Sequence, residues 1–245
     1  MLNIKKINSK DKNFSEILQK HIFQRKINSS DIKSSVKEII YEVKENGDDA
    51  LVSFSKKFDN YIVKNAKDLE VSKEKFLAAI DEILPEELAA LKFAKKRIEE
   101  FAIRQKTESW NYNSEGIKLG ERVTPIDKVG IYVPGGSAAY PSSVLMNSIP
   151  AKVAGVNEII MVVPSPNGEI NNLVLAAAYL GGVDRIFRIG GAHAVSALAY
   201  GTETIPKVDM IVGPGNQYVA EAKKELYGEV GIDNFAGPSE ILVIA

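Results

Sequence analysis

Three times in the second half of this 245-residue chain, a run rich in β-branched residues ends at glycines and gives way to a helix-like stretch. Residues 129–133 run into Pro134, Gly135 and Gly136. Residues 185–189 run into Gly190 and Gly191, and residues 209–212 run into Gly213, Pro214, Gly215 and Asn216. Buried strands of that kind, each followed by a glycine turn and a helix, leave a parallel α/β sheet as the natural solution. Its strand-to-helix turns lie at the carboxyl ends of the strands, where backbone amides and helix N-termini collect and small ligands bind.

Strands are expected at 128–133, 158–163, 185–189 and 208–212. Residues 144–156, 173–180 and 219–226 are long enough to serve as crossover helices between them. The arrangement is Rossmann-like without the standard dinucleotide fingerprint. No G-x-G-x-x-G follows the first strand, and the second ends at Val163, Pro164, Ser165 with no ribose-binding carboxylate near it in sequence. Residues 1–124 read as a mainly helical region closed by a hairpin, 125–235 as the α/β domain, and 236–245 as the first strand of a further segment. That last strand, at 241–245, needs a following element to cover it, so the sequence reads as part of a larger fold.

Within the helical region, Ser30 and Asp31 open a helix carrying Val36, Ile39, Ile40 and Val43, and Gly47 closes it. Pro85 starts another, with Leu88, Leu91, Ala94, Ile98 and Phe101 as its apolar stripe and Lys95, Lys96, Glu99 and Glu100 off it. Trp110, Tyr112, Ile117 and Leu119 flank Asn113, Ser114, Glu115 and Gly116 in the pattern of a hairpin.

Composition narrows the function. The 31 basic and 32 acidic side chains nearly cancel, which argues against nucleic acid or an acidic membrane as partner and leaves a small ligand. There is no cysteine, hence no disulfide, no thiolate metal site and no thiol nucleophile. The polar, lysine-containing start and the lack of a membrane-length apolar stretch fit a cytoplasmic location.

Taken singly, the residues at the turns have ordinary readings beside functional ones. Tyr132 reads equally as a buried aromatic, Asn216 as a helix N-cap and Ser239 as a turn residue. His193, one of two histidines with His21, stands at a helix N-terminus, where packing or capping is commoner than base chemistry and the dipole disfavours the charged ring.

Taken together and in order, the runs Val129-Gly-Ile-Tyr-Val-Pro-Gly-Gly136, Arg188-Ile-Gly-Gly-Ala192, Ala199-Tyr-Gly-Thr202, Val212-Gly-Pro-Gly-Asn216 and Ala236-Gly-Pro-Ser-Glu240 resemble histidinol dehydrogenase. The resemblance implies an aldehyde dehydrogenase-like α/β fold and a cytoplasmic, zinc-dependent homodimer. It also implies NAD-linked oxidation of L-histidinol through histidinaldehyde to L-histidine. Tyr132 and Asn216 match NAD-contacting positions of that family, and Ser239 matches a histidinol contact. His193 stands where the family usually has glutamine, also an NAD contact; a neutral imidazole can still donate or accept once. The family's zinc ligands and catalytic glutamate-histidine pair lie beyond Ala245, so residues 1–245 alone are expected to be catalytically incomplete. The alternative is a non-catalytic nucleotide-binding or scaffold protein built on the same fold. Aldehyde dehydrogenase chemistry itself is disfavoured by the missing thiol.

Overall fold

The computed structural model describes residues 6–27, 29–135 and 139–235, with the side chains of residues 21–30 outside the description. His21, Gly136, Ser239 and the strand expected at 241–245 therefore lie outside it in whole or in side chain. Helix α1 (Phe14–Ile27) precedes α2 (Ser29–Asp59), which is two helical segments joined at Gly47, a non-helical residue with φ 46° and ψ −122°. The first segment ends where glycine was expected to close it. The chain then turns there and continues as helix to Asp59.

Next come β1 (Glu70–Val71), α3 (Lys73–Ala78) and α4 (Pro85–Gln105). In α4, Leu91 and Ala102 are buried, whereas Phe101 is 65% exposed. Eleven residues bring Ala102 back over Leu91 to within about 20°, while ten leave Phe101 roughly 80° away. The expected stripe therefore holds through Ile98 and then passes to Ala102. A hairpin follows, β2 (Trp110–Ser114) with β3 (Ile117–Glu121), turning through Glu115 and Gly116, both at positive φ as a two-residue primed turn requires.

The remainder alternates strand and helix: β4 (Lys128–Tyr132), α5 (Pro141–Ala154), β5 (Glu158–Val162), α6 (Asn172–Gly181), β6 (Arg185–Phe187), α7 (Gly191–Tyr200), β7 (Met210–Val212), α8 (Gln217–Glu225) and β8 (Gly231–Ile232). Among the described residues the main sheet runs β1-β6-β5-β4-β7-β8, every pair parallel except β1 on β6. The order grows from β4 to β6 in one direction and then reverses, because β7 pairs with the other edge of β4. That reversal makes the carboxyl end of β4 a topological switch point.

Side chains alternate across the sheet as period two demands. Ile131, Ile159, Met161 and Ile186 pack with α4, α5 and α6. Tyr132, Ile160, Phe187 and Ile211 pack with α2, α7 and α8. Helix α7 is buried from Ala192 to Ala199, lying between the sheet and α2, and its alanines let the two helices approach closely. The residues before 125 thus contribute to the same structure: β1 adds an edge strand and α2 covers one face. Glu70 of β1 is fixed to β6 by a two-pronged pair with Arg185, at 2.7 Å to Nε and 2.8 Å to Nη2.

Candidate functional site

A cavity of about 570 Å³ opens at the carboxyl edge of the sheet, within the range of roughly 300–1,000 Å³ common for small-ligand sites. It sits at the switch point. Its walls come from the turn after β4 (Pro134, Gly135), Pro164 after β5, Gly190 to His193 after β6, Asn216 and Tyr218 after β7, and the last turn of α2. Tyr132, His193 and Asn216 border this one cavity, so three turns scattered in sequence meet in space.

Close packing of the strand ends depends on glycine. A side chain at Gly190 would run into the ring of Pro164, and one at Gly213, where φ is +108°, would fall on the Tyr132 carbonyl. The Gly213 turn is clamped from beneath. Lys223 Nζ, on a side chain 4% exposed, donates to Gly213 O at 2.6 Å and to Asp233 Oδ1 at 2.7 Å. Asp233 Oδ2 accepts the Gly213 N–H at 2.8 Å. Nothing in the sequence singled out that clamp, since lysine and aspartate ten residues apart look like surface charge.

Tyr132 is buried, and its hydroxyl accepts the Gly191 N–H at 2.9 Å, tying the end of β4 to the start of α7. Burial pushes its pKa up to about 12, so the phenol keeps its proton and has it free to donate. Asn216 is the N-cap of α8, accepting at Oδ1 from Tyr218 N at 3.0 Å and Val219 N at 3.1 Å. Its amide nitrogen is a separate donor. Asn216 thus caps the helix and borders the cavity as well.

His193 occupies the third helical position of α7 and packs instead of capping. Its ring lies 5.5 Å from Phe54 and 5.6 Å from Phe58. Complete burial depresses its pKa to about 3, so it is neutral. Neither ring nitrogen has a hydrogen-bond partner among the described residues. An unmet buried donor costs about 1–3 kcal/mol, which a ligand group able to pair with it would recover.

Sequence reasoning passed over the end of α2. Lys57, Phe58 and Asp59 all border the cavity. Asp59 is 8% exposed, and its Oδ2 has no partner among the described residues. Burial raises its pKa, opposed in part by the Ser165 backbone N–H. Ser239 lies outside the described residues. Zinc, implied by the resemblance, does not fit the side chains in view, because no three His, Asp or Glu groups converge among the described residues. No helix among them is long and apolar enough to cross a membrane.

Comparison with known proteins gives one consistent result. The family model for histidinol dehydrogenase matches residues 23–245. Histidinol dehydrogenase of Methylococcus capsulatus is 54% identical over 245 residues, all of this chain and 56% of the relative. That of Aromatoleum aromaticum is 57% identical over 215 residues, 87% of this chain and 49% of the relative. The crystal structure of histidinol dehydrogenase from Elizabethkingia anophelis superposes with a TM-score of 0.81 at 39% identity, covering 86% of this chain and 49% of that one. The chain spans about half the length of the curated relatives it matches.

Proposed function

Because the chain belongs to the histidinol dehydrogenase family, we propose that its residues form the NAD-binding part of an oxidoreductase converting L-histidinol to L-histidine through histidinaldehyde. The observation that carries this reading is the meeting of Tyr132, His193 and Asn216 at one cavity on the carboxyl edge of the sheet. Bound NAD would supply the hydride acceptor for each of the two oxidations, alcohol to aldehyde and aldehyde to acid. The protein's part is to hold it. The Tyr132 hydroxyl and the Asn216 amide each have a proton to donate, and the neutral His193 ring offers one donor and one acceptor in place of the family's glutamine. The N-terminal ends of α7 and α8 border the cavity with the positive ends of their dipoles, which suits a pyrophosphate.

Ser239 is assigned to histidinol. No zinc ligand is assigned among the described residues. The reading further places the enzyme in the cytoplasm as a homodimer, with neither nucleic acid nor membrane as partner. Support for self-association comes from the β2–β3 hairpin, whose Trp110, Tyr112, Ile117 and Leu119 are all at least 49% exposed.

Calorimetric titration with NAD tests the nucleotide assignment. Tyr132→Phe keeps the ring and removes one donor, so affinity should fall about two- to tenfold. Unchanged affinity in Tyr132→Phe, His193→Ala and Asn216→Ala alike would remove the cavity from the cofactor path. For the substrate, Ser239→Ala should weaken histidinol binding more than NAD binding. Sedimentation velocity tests the dimer.

A further inference from the structure

A Rossmann-type cleft holds the adenosine ribose with a carboxylate near the end of its second parallel strand, where the acid accepts the 2′-hydroxyl proton. Here the second parallel strand is β5, and the residues that follow it, Val163, Pro164 and Ser165, include no acid. The fold brings one to that place from another helix. Asp59 is the last residue of α2, and its carboxylate receives the Ser165 backbone N–H. Its neighbour Asn60 donates from Nδ2 to Asn167 Oδ1 at 2.8 Å, a second tie between the end of α2 and the loop after β5.

Asp59 is placed where an anion is poorly supported by the protein alone. It is more than nine-tenths buried, its Oδ2 lacks a partner among the described residues, and it stands at a helix C-terminus, the negative end of the dipole. Lys57, two residues before it, sets its Nζ over the Phe58 ring at 5.2 Å. The carboxylate borders the cavity beside Tyr132, Pro134 and Pro164. A buried acceptor held by a backbone amide, with its Oδ2 unpaired among the described residues, is matched by a sugar hydroxyl. A phosphate ester in the same place would set a second negative charge against it in a desolvated corner.

We infer that Asp59 is the ribose-binding carboxylate of this cleft, accepting the adenosine 2′-hydroxyl of NAD, and that it sets the preference for NAD over the 2′-phosphorylated NADP. The inference rests on the NAD reading of the cavity. Helix α2 thereby supplies the group that the β5 end lacks.

Titration calorimetry on the wild-type protein, Asp59→Asn and Asp59→Ala with NAD, NADP and 2′-deoxyadenosine NAD tests it, urea midpoints verifying that each variant is folded. The wild type should bind NAD roughly 10- to 100-fold tighter than the deoxy analogue, the range for a hydrogen bond to a charged group. In Asp59→Ala that ratio should fall to about one, and in Asp59→Asn the discrimination against NADP should shrink by about tenfold or more. The same deoxy and NADP ratios in wild type and variants would overturn the inference and leave the NAD reading standing. A wild-type protein that binds none of the three dinucleotides would overturn both.

Discussion

Under α5 and α6 the sheet buries Ile131, Leu145, Ile159, Met161 and Leu175 almost completely, and the buried Ser148 hydroxyl is satisfied within its own helix by Val144 O at 2.8 Å. Under α2, α7 and α8 the apolar packing is as tight around Leu51, Phe187 and Leu198. Yet the side-chain atoms left without a partner among the described residues gather on that side: Ser55 Oγ, Asp59 Oδ2, both ring nitrogens of His193, and Nε of Arg188, whose guanidinium lies over the Tyr61 ring. The first face is a closed core. The second contains polar groups whose burial costs about 1–3 kcal/mol each unless something pairs with them. Stability and ligand recognition should therefore respond to different substitutions on the two faces.

The largest expected effect lies on the closed face. Leu175→Ala, at a fully buried position of α6, should cost about 2–5 kcal/mol in urea unfolding and leave the NAD dissociation constant within about twofold. If affinity falls in step with stability, the faces are not separable. Lys223→Met breaks the comparison from the other side, since it removes the clamp under the Gly213 turn. Losing one partner of a fully buried pair costs about 3–5 kcal/mol, and the 24% exposure of the Asp233 side chain reduces that towards about 2 kcal/mol. Here affinity should fall along with stability, because Asn216 rides on the same turn.

The closed face was largely legible in sequence. Its strands announce themselves as β-branched runs ended by glycine, and the structure has β4, β5, β6 and β7 within the expected segments, though β6 stops at Phe187 and β7 begins at Met210. The glycine turns also identified Tyr132, His193 and Asn216 as neighbours. The remainder was hidden because it depends on contacts between distant segments. Asp59 reaches Ser165 through the packing of α2 on α7 and α8, which no local pattern encodes. A local signal was present: an acid at the end of a helix, against the dipole. The switch from Phe101 to Ala102 in α4 was likewise within reach of strict 3.6-residue arithmetic.

His193→Phe should sharpen the contrast by running opposite to Leu175→Ala. It keeps a ring between Phe54 and Phe58 and removes a buried polar group without a partner, so stability at neutral pH should hold or rise by about 1 kcal/mol. NAD affinity should fall. The pH dependence has a definite sign. The folded-state pKa is depressed from 6.5 to about 3, so the stability this group preserves is fully present above 6.5 and is lost as pH falls towards 3. The unfolded chain takes up a proton that the folded one refuses, at about 1.4 kcal/mol per pH unit. Urea titrations at several pH values should show that slope in wild type and its loss in His193→Phe. An unchanged slope would mean that the ring is solvated in the native protein.

The smallest effect belongs to Asp59, and its sign is the reverse. Burial raises this carboxyl above its ordinary 3.8, with the Ser165 N–H offsetting part of the rise. A raised folded-state pKa means that the group's contribution to stability is fully present below 3.8 and is lost as pH climbs through the folded value, because the unfolded chain ionises first. Asp59→Asn cannot ionise. Relative to wild type it should therefore gain stability as pH rises from acid towards neutral, the gain being limited by the Ser165 N–H that already supports the charged form. Saturating NAD should reduce that gain, because the ligand hydroxyl then pairs with the carboxylate oxygen that the described residues leave without a partner. Urea unfolding of both proteins across pH, with and without NAD, would measure it. A gain of the same size with and without the nucleotide would return Asp59 to the core it is buried in and leave His193 as the open face's one polar link to a ligand on α7.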